Sequence, residues 1–454
     1  MKKILSIIML IAVLSTLAAC KGEAVPGETE TAEGAVNETV GTETDATETE
    51  ENTESAESET EERAPEQPDA EVLSMVKYFS QTWEWDDEIL LALSEYNGVV
   101  LSEEAKQAYP ELAEALEQGR NMMVRTMEDE YDNLLSTAKD ELALLGEDSF
   151  VTKLSTADVQ IRRADSTAVS YLTDSCLVYG SINGRFLQGT TFDTASGKQL
   201  TLGDIITDMS RIPEIVKNEL AGYTWTGDFF TETAVEDYFR DTPEDGFVWT
   251  LDYNGVTFYF GSNTLAETGE GCLAATVSFA EYPELFDEKY MAVPASYMVE
   301  LPLNHPYYTD LDGDGDLEEL TAVPFSDETG LVWESLGFYT DTMIEFYHVE
   351  RQADTVHRTG GYHVYYVKTV DGGSYLYVFA EGSGMAAEDM ELCVIDCTDG
   401  SFTIVDDAHL APGYVPVDQS WALTDPDNMM LENFAEAQGV QVYHVGDNGM
   451  PVQE

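Results

Sequence analysis

The chain has 454 residues, 88 Asp+Glu against 21 Lys+Arg, and a formal net charge of −67. That balance argues against a nucleic-acid backbone or an anionic membrane surface as the docking partner, since both need clustered Lys and Arg, and it leaves a cationic partner or a metal cation open. Hydrophobic content of 43% is enough to build cores, and five Cys are too few for a disulfide-built scaffold.

Residues 1–20 form the first element. Lys2 and Lys3 make a positive start, and Ile4 to Leu17 is apolar apart from Ser6, Ser15 and Thr16. The run is too short and wrongly flanked to span a bilayer, so it is an export signal. It ends Leu17-Ala18-Ala19-Cys20, which resembles the lipobox of bacterial lipoprotein signal peptides. The resemblance implies cleavage before Cys20 and a diacylglycerol on its thiol, placing the chain on the extracellular face of the cell membrane. Two acyl tails give stable anchoring where one is marginal.

Residues 21–70 hold 15 Glu, 2 Asp and no aromatic residue. Such a segment cannot bury enough apolar surface to offset chain entropy, and its charges extend it. It is expected to be a disordered tether. The body from residue 71 onward keeps 71 acidic against 17 basic residues, near −54.

In the body, Thr82–Trp85 and Glu88–Leu93 are expected strands. Pro110 and Glu111 open a helix, because Pro suits the first helical position and Glu the positive helix end. Leu112, Leu116, Met123, Met127, Tyr131, Leu134, Ala138, Leu142 and Leu145 then recur at helical steps, and Gly146 stops the run. The Met residues in this stripe are expected to be core. Residues 150–295 alternate short strands with turn signals at Asn183-Gly184, Ser196-Gly197 and Asn254-Gly255. Asp204 caps a short helix carrying Ile205 and Ile206. Ile212-Pro213 starts another helix, and Tyr282-Pro283-Glu284-Leu285 repeats the Pro-led opening. The pattern is α+β rather than alternating parallel α/β.

The run Thr191-Phe192-Asp193-Thr194-Ala195-Ser196-Gly197-Lys198-Gln199-Leu200-Thr201-Leu202-Gly203-Asp204-Ile205-Ile206 resembles a stretch of the RsiV-like extracellular domain. That domain is the ectodomain of RsiV anti-sigma factors and also accompanies the peptidoglycan deacetylase PdaC. Val256–Phe260 and Ala275–Phe279 fit its closing strands. The resemblance spans roughly residues 75–295. Gly180–Phe186 replaces the family's Gly-Gly-Ala-His element. The resemblance implies an α+β domain over 71–300 and a lysozyme-like protein or peptidoglycan as ligand. A β-rich domain over 301–454 is expected to follow.

The sharpest local motif is Asp310-Leu311-Asp312-Gly313-Asp314-Gly315-Asp316-Leu317-Glu318. Asp310, Asp312 and Asp314 match positions 1, 3 and 5 of a calcium loop, with Gly315 at the sharp turn. Asp316 would offer its carbonyl and Glu318 its carboxylate. Position 12 is Thr321, and the loop resembles those between strands of FG-GAP-type extracellular domains rather than an EF-hand. Oxygen-only ligands select a hard cation, here calcium. Beyond it, hairpins are expected around Asp371-Gly372-Gly373 and Asp399-Gly400.

Catalytic signals are poor. Ser136-Thr137-Ala138-Lys139 matches S-x-x-K but lacks its companion elements. The six His (305, 348, 357, 363, 409, 444) make no metal motif, although His357 and His363 could line a site. Cys393 and Cys397 are too far apart on a strand to bond each other. For Cys176 and Cys272 a disulfide and free thiols are both open. The expected function is a non-enzymatic, lipid-anchored binding module for a cell-wall-associated ligand. The alternatives are a cell-wall hydrolase or deacetylase accessory, or a calcium-stabilised spacer.

Overall fold

The computed structural model describes residues 70–87, 89–179, 182–222, 233–261, 264–265, 273–301, 303, 306–311, 313–326, 333–339, 344–347, 362–380, 391–416, 418–433 and 439–453. The expected export signal, the expected lipidation site Cys20 and the expected tether lie outside the described residues, except for Ala70, which is buried. The chain divides at Ala64/Pro65, and every described residue belongs to the second unit, Pro65–Glu454.

The long strands β1 (Met75–Asp86) and β2 (Ile89–Leu101) pair antiparallel across the positions expected to be β. Ser102 then caps α1 (Glu103–Ala108), its hydroxyl accepting from the Ala105 amide at 3.2 Å. α2 (Pro110–Leu145) follows as expected, burying Leu112, Leu116, Met127, Leu134 and Ala138 against the sheet and ending at Gly146 with φ +74°. The helix carries the chain to β3 (Lys153–Ala164), which pairs parallel with β2. Parallel neighbours need such a crossover. β4 (Ala168–Tyr179) and β5 (Ile182–Asp193) extend the sheet antiparallel. Asn183 and Gly184 therefore sit inside β5, paired with Val178 and Leu177, and not in the expected turn.

Next come α3 (Leu202–Ile205), α4 (Ile212–Gly222) and α5 (Ala234–Asp241), then β6 (Val248–Leu251), β7 (Gly255–Phe260) and β8 (Leu273–Ser278) as a three-stranded antiparallel sheet. Ile205, Ile212, Val216, Leu220, Phe258 and Phe260 fill the core between them. β5 crosses close to β6 at Gly189, where a Cβ would lie 1.6 Å from the Trp249 carbonyl oxygen, so only glycine fits. Tyr282–Leu285 forms a single 3₁₀ turn, Pro283–Leu285, rather than a helix, before α6 (Glu288–Met291).

The remainder is β, as expected: β9 (Tyr297–Leu301), β10 (Pro306–Thr309), β11 (Glu318–Ser326), β12 (Trp333–Tyr339), β13 (Ile344–Tyr347), β14 (Tyr362–Lys368), β15 (Ser374–Ala380), β16 (Glu391–Asp396), β17 (Thr403–Ala408), β18 (Leu410–Pro412), β19 (Gln419–Ala422), β20 (Met429–Asn433), β21 (Val440–Val445) and β22 (Pro451–Gln453). They form sheets ordered β10-β11-β12-β13, β17-β16-β15-β14-β9 and β18-β20-β21-β22, while the first sheet runs β19-β1-β2-β3-β4-β5. The fold is mixed and strand-rich, and among the described residues every helix precedes β9.

The expected division at residue 300 does not follow the sheets. It falls inside β9, which pairs with β14, and β1 pairs with β19 more than 340 residues later. The exposed edge of a strand is a row of unpaired amides and carbonyls, and here the free edge of β1 is met by β19 and that of β14 by β9. No helix among the described residues is long and apolar enough to cross a membrane.

Candidate functional site

The acidic loop joins β10 to β11, whose ends pair as Thr309 with Glu318. Leu311 is buried and pins the loop to the core shared by β9, β14 and β15. Gly313 and Gly315 take φ of +79° and +98°, which side chains resist, and this lets the backbone fold round Asp310. One Asp310 oxygen accepts from the Gly313 amide at 2.6 Å and the other from the Gly315 amide at 3.2 Å. Asp314 accepts from the Asp316 amide at 2.9 Å, and Glu318 turns back to the Leu311 amide at 2.7 Å. Asp310, Asp314, Asp316 and Glu318 are thus gathered on one loop. Asp312 lies outside the described residues. Among the described residues no group of three or more His, Cys, Asp or Glu side chains is close enough to hold a metal.

The weaker candidates separate. Ser136 and Lys139 are exposed on α2, and Lys139 pairs with Glu84 at 3.7 Å. His363 stands on β14 with its Nδ1 3.7 Å from Glu300, and His409 lies on the surface beside Glu391. His305, His348 and His357 are outside the described residues. Cys393 and Cys397 are buried and in no disulfide, with burial pushing the Cys397 thiol well up. Cys176 is also in no disulfide, and Cys272 is outside the described residues.

The principal feature missed at the level of sequence is a seam of buried ion pairs. A register shift between Ile161 and Arg163 accompanies two consecutive fully buried arginines on β3. Arg162 meets Asp252 at 3.1 Å and lies 4.8 Å over the Tyr307 ring. Thr250 and Thr257 donate to the same Asp252 carboxylate at 2.8 and 2.7 Å. Arg163 binds Asp165 at 2.7 Å and the carbonyls of Tyr290 and Ala292 at 2.7 and 2.6 Å. Lys77 on β1 meets Glu300 on β9 at 2.6 Å, both buried. Burial pushes the Glu300 carboxyl up, but Lys77 and His363 outweigh it and hold it below the usual carboxylate range. Burial likewise works against the Lys77 charge, and Glu300 and Asp158 raise it further than burial lowers it. Tyr253 and Tyr297 stack at 4.0 Å beside this seam, and burial pushes the Tyr297 hydroxyl up to about 12.

These pairs shape the surface. Of the fifteen Lys and Arg among the described residues, twelve lie within 4.0 Å of a carboxylate. Basic charge is therefore neutralised locally, and the acidic excess is presented to solvent.

No family model matches the chain, and no curated protein does. Two solved structures, each described as a DUF3298 family protein, are similar to it. One is from Bacteroides fragilis NCTC 9343, at 11% identity, covering 48% of this chain and 95% of that one with a TM-score of 0.36. The other is from Pseudomonas aeruginosa PAO1, at 15% identity, covering 48% and 96% with a TM-score of 0.32.

Proposed function

We propose that the protein is a lipid-anchored extracellular lipoprotein whose body binds a cell-wall-associated ligand, a lysozyme-like protein or peptidoglycan, without turnover. The observation that carries this reading is the placement of charge. A body near −54 whose basic groups are largely taken up by internal pairs is a strong electrostatic attractor for a cationic protein. The leader ending at Cys20 and the aromatic-free tether support presentation of that body outside the cell.

The RsiV-like reading is supported by the local structure of Thr191–Ile206. Phe192 pairs with Gln199 across the turn, and Thr201 and Asp204 form a capping box on α3. Asp193 collects the Ser196 amide and hydroxyl at 2.9 and 2.7 Å, and also pairs with Lys289 of α6. In the same reading the acidic loop holds one Ca²⁺ through Asp310, Asp312, Asp314 and Glu318, with the Asp316 carbonyl completing the set. The amides of Gly313 and Gly315 on Asp310 fit that role, because each carboxylate oxygen keeps a lone pair for a cation.

The test is capture of lysozyme and of purified peptidoglycan by the full chain at two salt concentrations, with a turnover assay alongside. Binding of lysozyme that weakens with salt is expected. Measurable turnover, or no capture of either ligand at low salt, would contradict the reading.

A further inference from the structure

The first sheet has two faces, and α2 covers only one. Arg120 of α2 sits 5.2 Å over the Tyr78 ring, and Tyr96 packs with Met127, so Tyr78 and Tyr96 face the helix. Side chains alternate along a strand. Phe79, Gln81 and Trp83 therefore share the other face, directly opposite Asn97, Glu95 and Leu93 of β2. At its inner end this face is closed, where Lys77 meets Glu300 of β9. Outward of Lys77 it is open, with Phe79 37% and Trp83 52% exposed.

Between and beside these aromatics, planar polar side chains are tied to one another across strands. The Gln81 amide donates to Glu95 at 2.7 Å. The Asn97 amide donates to Asp158 of β3, and the Gln160 amide donates to the same carboxylate at 2.9 Å. Arg185 of β5 is paired to Asp174 of β4. The Oε1 of Gln160 has no protein partner, so the row ends in an unmet acceptor.

This chemistry selects among occupants. A second copy would bring together two bodies each near −54. A polyanion meets the same repulsion. An apolar helix would strip water from the amide and carboxylate rows without replacing its hydrogen bonds. A sugar chain suits both halves of the face. Its C–H faces stack on indole and phenyl rings, and its hydroxyls both donate and accept alongside amides and carboxylates. Phe79 and Trp83 stand about 13 Å apart along the strand, so a ligand touching both is an extended oligomer.

We propose that the outer face of β1–β3, anchored by Trp83 and Phe79 and polarised by Gln81, Glu95, Asn97 and Asp158, binds an uncharged glycan strand. This rests on the cell-wall reading and names the site and ligand class within it. The probe is the N-acetylglucosamine hexamer, titrated calorimetrically into the full chain. Saturable binding is expected, with Trp83→Ala weakening it at least ~10-fold and Phe79→Ala less. Ile404→Ser, on the exposed strand β17, should bind as the parent does. Unchanged melting temperatures would show that the variants are folded. Failure of the parent chain to bind the hexamer, or equal binding by Trp83→Ala, would overturn the proposal. Retained capture of lysozyme in that case would leave the wider binding reading standing.

Discussion

The two ends of the first sheet put carboxylates to opposite uses. At the inner end Lys77, Arg162 and Arg163 are sealed under β9 and the β6–β7 turn, each held by a carboxylate. At the outer end Gln81, Glu95, Asn97 and Asp158 are tied to one another but stay in reach of solvent beside Trp83. A charge buried without its partner is costly, so the inner groups are committed to stability. The outer groups lose little by exchanging water for a ligand. Burial and the choice of partner, a cation inside and an amide outside, separate the carboxylates of the scaffold from those of the recognition surface.

The sharpest way to break this contrast is at the buried end. Asp252→Ala leaves the Arg162 guanidinium uncompensated and should cost about 3–5 kcal/mol by denaturant unfolding. Glu300→Gln keeps the shape and loses the charge, and should cost about 2–3 kcal/mol at neutral pH. Its pH dependence is specific. The Glu300 carboxyl is held low in the folded chain, so its contribution is present above the ordinary carboxylate value of ~4.3 and is lost as pH falls through the lower folded value. The gap between parent and Glu300→Gln should therefore close in acid. Lys77 is held high, so its contribution persists below ~10.4 and is lost only as pH rises through the raised value.

The acidic loop lies between these extremes. Calcium at ten times its Kd should add about 1.4 kcal/mol by mass action, and Asp310→Asn should remove the effect in an EGTA-controlled thermal scan. No shift in the parent chain would reduce the loop to an acidic turn. At the open end the smallest effect is expected. Trp83→Ala should change stability by no more than ~0.5 kcal/mol, because half of the side chain is already in water. A larger loss would mean that the outer face is packed in solution.

Much of the fold was legible where local chemistry and tertiary packing agree. α2 announces itself through Pro110, its apolar stepping and Gly146, and it forms over that span. The hairpins of β14–β15 and β16–β17 turn at Gly372 and Gly400, as their Asp-Gly pairs imply. Tyr282–Leu285 misleads because Pro and Glu start a helix but do not supply an apolar stripe to sustain it. The boundary at 300 misleads because pairing of β1 with β19 leaves no local trace. The ion-pair seam had one available signal. Arg162 and Arg163 are adjacent in a strand of a body with only 17 basic residues, where surface use of two neighbours is an odd economy of charge. The outer face was hidden, since its aromatics belong to β1 and its amides and carboxylates to β1, β2 and β3.

Hexamer titration into Asp252→Asn and Trp83→Ala, side by side at a temperature where both are folded, tests the division most directly. Asp252→Asn should melt earlier yet bind as the parent does, while Trp83→Ala should melt with the parent and bind at least ~10-fold more weakly. Binding lost in Asp252→Asn and kept in Trp83→Ala would contradict the assignment of one end to stability and the other to recognition.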